Sequence, residues 1–161
     1  CRCTFYLRLK LLATKLHLLS QITKSVFGRL PDFIIGELKT QGVKDAITQL
    51  HQEGKITIKT FKSNEYAEIM SLQDKNFSFQ DCTVLYYALN GDYKLLTGDR
   101  NLRVIAERHG LQVSGIIYVM DELLHHDILS KEEYITKLKA LLESNQRLPT
   151  KEIMKRIENS F

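Results

Sequence analysis

The stretch that most constrains this chain is "YKLLTGDRNLRVIAERHGLQVSG", residues 93 to 115. A short apolar run, "YKLLT", stops at Thr97-Gly98-Asp99, a helix-like segment "RNLRVIAERHG" follows and ends at Gly110, and a second strand-like run, "LQVSG", closes the unit. Strand, helix and strand joined by such short connections form a right-handed parallel unit in nearly all cases. An isolated parallel pair has no stability of its own, so the rest of the chain must supply further strands and helices to cover both faces of a sheet. The class is therefore α/β, with a small parallel sheet flanked by helices.

The remaining segments fit that class. Leu9, Leu12, Leu16, Leu19, Ile22 and Val26 recur in steps of three and four, which predicts an amphipathic helix over residues 8 to 27. Pro31 opens a short helix, "PDFIIGELK", because proline is tolerated at a first helical position. "VKDAITQLHQ" reads as helix closed by Gly54, and "KITIKTF" alternates as a strand with one wetter face. "NEYAEIMSLQ" and "SFQDCTVLYYALNG" are helical, the second capped by Ser78 and stopped by Asn90-Gly91. Residues 116 to 126 are expected to be helical, and Ser130-Lys131-Glu132-Glu133 is a capping box before a helix to about Ser144. A last helix follows Pro149-Thr150, so the closing helices lie over about 131 to 160.

At 161 residues with no repeat and no Pro/Gly/Ser-rich linker, the chain is expected to be a single domain over 1 to 161. Its formal charge of +4 tolerates a polyanionic partner without requiring one. Three cysteines (Cys1, Cys3, Cys82) make neither a disulfide framework nor a Cys-x-x-Cys zinc pair, which fits a reduced, cytoplasmic setting. "LRLKLLATKLHLL" is interrupted by Arg8, Lys10, Lys15 and His17, and so falls short of a membrane span or a secretory signal.

Ligands of open parallel sheets bind at the carboxyl ends of the strands, and Asp99 stands there. Asp81, in or near the first turn of the preceding helix, is a second acid, and Glu37, among Phe33, Ile34, Ile35 and Leu38, is a third. Each has a plain structural reading: Asp99 as a helix cap, Asp81 as a dipole-stabilising first-turn acid, Glu37 as the solvent side of a short helix. Arg100 and Arg103 flank Asp99 and could meet phosphate, as could Arg108, Lys151, Lys155 and Arg156, for which a solvated basic face is the alternative. His125-His126 point in different directions on a helix, and Tyr86-Tyr87 read as core and interface rather than as a base-stacking surface.

The order of these features, a proline-led helix ending in Glu-Leu, a helix with "D-x-x-x-L-x-x-A", and a strand running into "TGDRNLRVIAERHGLQVSG", resembles the PIN domain family. In particular it is similar to the bacterial PIN ribonucleases that act as toxins in toxin–antitoxin pairs. The resemblance covers about residues 8 to 150 and is most specific between Phe79 and Gly115. It implies a three-layer α/β/α fold and a Mg²⁺- or Mn²⁺-dependent ribonuclease. It further implies RNA as substrate, an antitoxin protein as partner, homodimerisation and no membrane. Carried over residue by residue, Glu37, Asp81 and Asp99 match the family's second, third and fourth acids and would be its metal-binding and catalytic residues. Thr97, Asn101, Arg100 and Arg103 would assist at the substrate. The clustering has a physical reason: two carboxylates about 5 Å apart at an effective dielectric near 20 repel by roughly 3 kcal/mol, which a divalent ion reverses.

One departure stands out. The family's first acid ends an N-terminal strand; here "CRCTF" occupies that place, with Cys1 where the aspartate belongs and the strand before it expected to be missing. Either the sequence is an incomplete or differently started form of an active nuclease, or it is a member that has lost catalysis and serves as a protein- or RNA-binding module. A third comparison, with haloacid-dehalogenase-like phosphatases, rests on "TGD" alone, without the upstream "D-x-D-x-T" nucleophile.

Overall fold

The computed structural model describes residues 3–5, 28–36, 38, 41–73, 77–91, 93–144 and 148–159. The helix expected over 8 to 27 and the acid Glu37 lie outside the described residues. The chain divides into two compact units, Cys1–Gly115 and Ile116–Phe161.

The first unit is built on a five-stranded sheet of order β3-β2-β1-β4-β5. Its strands are β1 (Cys3–Phe5), β2 (Gly28–Pro31), β3 (Ile56–Lys59), β4 (Lys94–Leu96) and β5 (Val113–Ser114). All four pairings are parallel, with Cys3 opposite Gly28 on one side and Lys94 on the other, and Leu95 opposite Val113. Parallel neighbours need a crossover, and helices supply it. α1 (Asp32–Gly36) and α2 (Gln41–Gln52) connect β2 to β3, and α5 (Arg100–Arg108) connects β4 to β5. α3 (Ser63–Ser71) and α4 (Phe79–Gly91) carry the chain from the β3 edge back across β2 and β1 to β4.

Two local expectations are corrected. The strand missing at the amino terminus is present in "CTF" itself, which pairs on both sides and forms the centre of the sheet. Three residues with no alternation carry too little pattern to be read as a strand; the neighbours define it. Pro31 is the last residue of β2 rather than the first of a helix, and α1 begins at Asp32. Proline's fixed φ suits that junction, since it ends the ladder by lacking an N–H and presets the turn into helix.

The other elements follow their sequence patterns. In α2, Val43, Ile47 and Leu50 form a buried stripe at steps of four and three and pack with Leu38 against Leu30, Ile56 and Ile58. Each such side chain contributes about 1.5–3 kcal/mol of apolar burial. α2 stops where Gly54 adopts φ +68°, and α5 where Gly110 adopts φ +79°, conformations that cost an L side chain more than glycine. A larger core joins Ile34, Phe61, Ile69, Val84, Leu85, Leu95, Leu102 and Ala106, all essentially buried. Tyr86 and Tyr87 pack edge-on to Phe61 at 5.9 and 6.1 Å, the core role read for them.

The second unit consists of α6 (Ile116–His125), α7 (Lys131–Ser144) and α8 (Thr150–Glu158). The capping box before α7 is formed: the Ser130 N–H donates to Glu133 at 2.9 Å and the Glu133 N–H donates to Ser130 Oγ at 3.2 Å. Bonds from the Ser130 backbone and hydroxyl hold the Glu133 carboxyl below the usual glutamate range. Asp121 on α6 accepts from the Tyr134 hydroxyl of α7 at 2.6 Å and from Arg156 Nε of α8 at 3.0 Å, with Arg156 Nη2 at 2.9 Å from its second oxygen. One carboxylate thus ties three helices together.

Candidate functional site

The strand order reverses direction between β1 and β4, because the chain leaves β1 toward β2 and β3 and returns to the other side at β4. Such a switch point opens a crevice at the carboxyl ends of the two strands, the usual ligand position in open parallel sheets. β4 runs into this crevice through Thr97, Gly98 and Asp99.

Local chemistry fixes Asp99. It is the N-cap of α5, and its Oδ1 accepts the amides of Asn101 at 2.9 Å and Leu102 at 3.0 Å. The Asp99 amide in turn donates to Thr97 Oγ1 at 3.0 Å, and Thr97 is buried. Thr97 is therefore a positioning residue whose hydroxyl sets the turn that presents Asp99. Arg100 and Asn101 are exposed on the first turn of α5. Arg103 points elsewhere: Nη1 donates to the Val113 carbonyl at 3.2 Å, Nη2 to the Thr97 carbonyl at 3.4 Å, and Glu107 lies 3.5 Å away. It fastens β4 to β5 behind the turn.

Asp81 reaches the same edge by a different route. α4 ends at Gly91 and β4 begins at Lys94, so the last residue of α4 lies at the amino edge of the sheet. Thirteen residues of helix span about 20 Å. Its first turn, with Asp81, therefore lies at the carboxyl edge. There Asp81 Oδ2 accepts from the Ser78 amide at 3.2 Å and hydroxyl at 2.7 Å, while the Asp81 amide donates to Ser78 Oγ at 3.1 Å. This reciprocal capping box makes Ser78 the partner that orients the acid.

Both plain structural readings are thus realised, as caps, on acids that the topology places at one edge. A third acid, Asp32, follows the carboxyl end of β2 and accepts the Phe33 amide at 2.8 Å. A helix started at Pro31 would place this acid inside its first turn; with Pro31 ending β2, Asp32 stands at a strand end. Among the described residues, no group of three or more His, Cys, Asp and Glu is placed to hold a metal. The His125 and His126 rings lie 5.3 Å apart, edge to face, and His126 Nε2 is 3.5 Å from Glu122. Arg156, a candidate phosphate contact by sequence, is engaged by Asp121 and Glu152.

The fold and this edge define an α/β protein with helix-capping acids at the carboxyl edge of a parallel sheet. A family model described as a PIN domain matches residues 8–160. The chain belongs to the PIN domain family, which gives it a nuclease-type fold. No curated protein matches it. PIN domains generally use divalent metals, and the described acids fit such an ion in kind. Mg²⁺ takes hard oxygen donors and needs only one or two carboxylates directly, with water filling the rest. Among the described residues, no helix is long and apolar enough to cross a membrane.

Proposed function

We propose that this protein is a metal-dependent endoribonuclease of PIN type, a phosphodiester hydrolase acting as the toxin of a toxin–antitoxin pair. The observation that carries the reading is that helix termini which the strand order assigns to the carboxyl edge of the sheet hold Asp81 and Asp99, in a chain of PIN family. Each is held by its own helix terminus, so the carboxylates are oriented before any ligand arrives. Asp81 and Asp99 would hold Mg²⁺ or Mn²⁺, with Glu37 as the third acid by sequence position. Such an ion, when bound, activates water and offsets charge that develops on the phosphate.

The side chains around the edge divide the remaining work. Thr97 fixes the turn through its bond to the Asp99 amide, and Ser78 fixes Asp81. Arg100 and Asn101, exposed on the first turn of α5, would meet the RNA backbone. Arg103 acts through the turn it fastens. An antitoxin protein and a second copy of the chain are the partners this reading calls for.

One observation favours a second reading, a PIN-like protein that binds RNA or protein without cutting: both acids are engaged as caps, and no larger metal-holding group exists among the described residues. Cleavage of a labelled structured RNA separates the two. With Mn²⁺ the chain should cut, and EDTA should abolish it. An Asp81→Asn/Asp99→Asn variant should lose at least about a hundredfold, the scale on which even the outer partners of a bound metal count. Asparagine caps a helix as well as aspartate at 99 and keeps an oxygen for the Ser78 amide and hydroxyl at 81, so the variant should stay folded. Cutting that persists in EDTA would end the metal-dependent reading, and no cutting by the unmutated chain would favour the binding module.

A further inference from the structure

Three aromatic side chains of the first unit pack together without being fully buried: Phe33, Tyr66 and Phe79. Phe33 meets Phe79 edge to face at 5.0 Å and Tyr66 at 6.1 Å, while Tyr66 and Phe79 lie nearly parallel at 6.2 Å. Phe61, 4% exposed, supports Phe33 from behind at 6.4 Å, so the outer rings rest on a fixed base.

Their placement matters as much as their packing. Phe33 is in α1, directly after the carboxyl end of β2; Tyr66 is in the first turn or so of α3, shortly after the carboxyl end of β3; Phe79 is the first residue of α4, two before Asp81. All three therefore lie at the edge that carries Asp81 and Asp99. β2 and β4 are separated only by β1, two strand spacings or about 10 Å, so the rings flank the acid crevice. Lys62 is exposed at the N-cap of α3, four residues before Tyr66. The nearby Glu65 accepts from Lys59 at 3.0 Å and from the Lys62 amide at 2.7 Å.

We propose that Tyr66 and Phe79, backed by Phe33, form a stacking platform for an unpaired base of the RNA, with Lys62 on the adjoining phosphate. This rests on the nuclease reading for its ligand and adds which side chains would receive the base next to the cleaved bond. Every base presents a π face, so such a platform selects unpaired over paired nucleotides with little regard to sequence. A duplex keeps its bases stacked on one another and offers none.

The test uses the full chain, EDTA to prevent cutting, and short single-stranded RNAs carrying 2-aminopurine at successive positions. Binding should quench the fluorescence at one or two positions, and the matching duplex should bind much more weakly. Tyr66→Phe should keep both affinity and quenching; Tyr66→Ala should lose the quenching and about tenfold in affinity. Absence of quenching at every position, equal binding of the duplex, failure to bind RNA, or unchanged affinity in a folded Tyr66→Ala chain each overturns the platform. If Tyr66→Ala fails to fold, the quenching by the unmutated chain and by Tyr66→Phe still decides. Stacking without cleavage in Mn²⁺ would uphold the platform while ending the nuclease reading; cleavage without stacking would do the reverse.

Discussion

Asp99 and Asp121 are both half-buried aspartates, and the fold uses them in opposite ways. Asp99 is fixed by amides two and three residues ahead in its own helix. Asp121 is fixed by a phenol 13 residues away and a guanidinium 35 residues away. Asp81 belongs with Asp99, because its orienting partner, Ser78, is three residues behind it. A carboxylate oriented by its own helix terminus can face a ligand at the edge of a sheet. A carboxylate neutralised by an arginine from another helix is committed to holding the structure. Perturbation should therefore reach stability in the second unit and chemistry in the first.

The largest effect on stability is expected at Asp121. Asp121→Asn should cost about 1–3 kcal/mol, since it weakens the charge-assisted bonds to Tyr134 and Arg156 and leaves Arg156 with Glu152, at a half-exposed site that softens the penalty. Urea unfolding of the full chain reads this, and a loss no greater than for a surface substitution would erase the contrast. Asp99→Ala should cost about 1 kcal/mol as a lost cap, and Asp99→Asn should restore it while leaving any cleavage defect in place. The sharp form of the comparison is that asparagine rescues the fold at 99 and fails at 121.

Two smaller effects come from titration. Burial, then the bond to Asp121, pushes the Tyr134 phenol above its ordinary value. A raised folded pKa means the stabilisation is whole below the unfolded value, near 10, and is lost as pH rises through the folded one. Tyr134→Phe should flatten that alkaline loss in thermal melts of the full chain. Glu133 behaves in the opposite sense: its carboxyl is held low, so its contribution is present at neutral pH and is lost as pH falls through the folded value. Glu133→Gln should reduce this acid sensitivity slightly, read by helical circular dichroism, and an unchanged acid limb would show the capping box to be idle.

Much of this was legible in residues close together in the sequence. The unit from Tyr93 to Gly115, the Ser130 capping box, the stop at Gly54 and the α2 stripe all appear where local pattern put them, because caps, glycine turns and amphipathic periods are short-range physics. Asp81 and Asp99 were marked by the same kind of signal. β1 and β2 were not, being strands of three and four residues whose identity comes from the neighbours they pair with. Asp32 was hidden with β2, and the Phe33, Tyr66 and Phe79 group was hidden because three helices far apart in sequence bring it together.

By itself, then, the sequence determined the class of fold and two acids that helix termini would hold. Periodicity and capping are properties of a few consecutive residues, and no distant part of the chain is needed to express them. Only the tertiary structure decided that the sheet reverses at β1 and β4, that both acids share that edge, that Arg103 fastens strands instead of facing the crevice, and that Asp121 is spent on the closing helices. Those outcomes depend on contacts across tens of residues, where strand pairing and the pairing of charges are settled by which surfaces fold against one another.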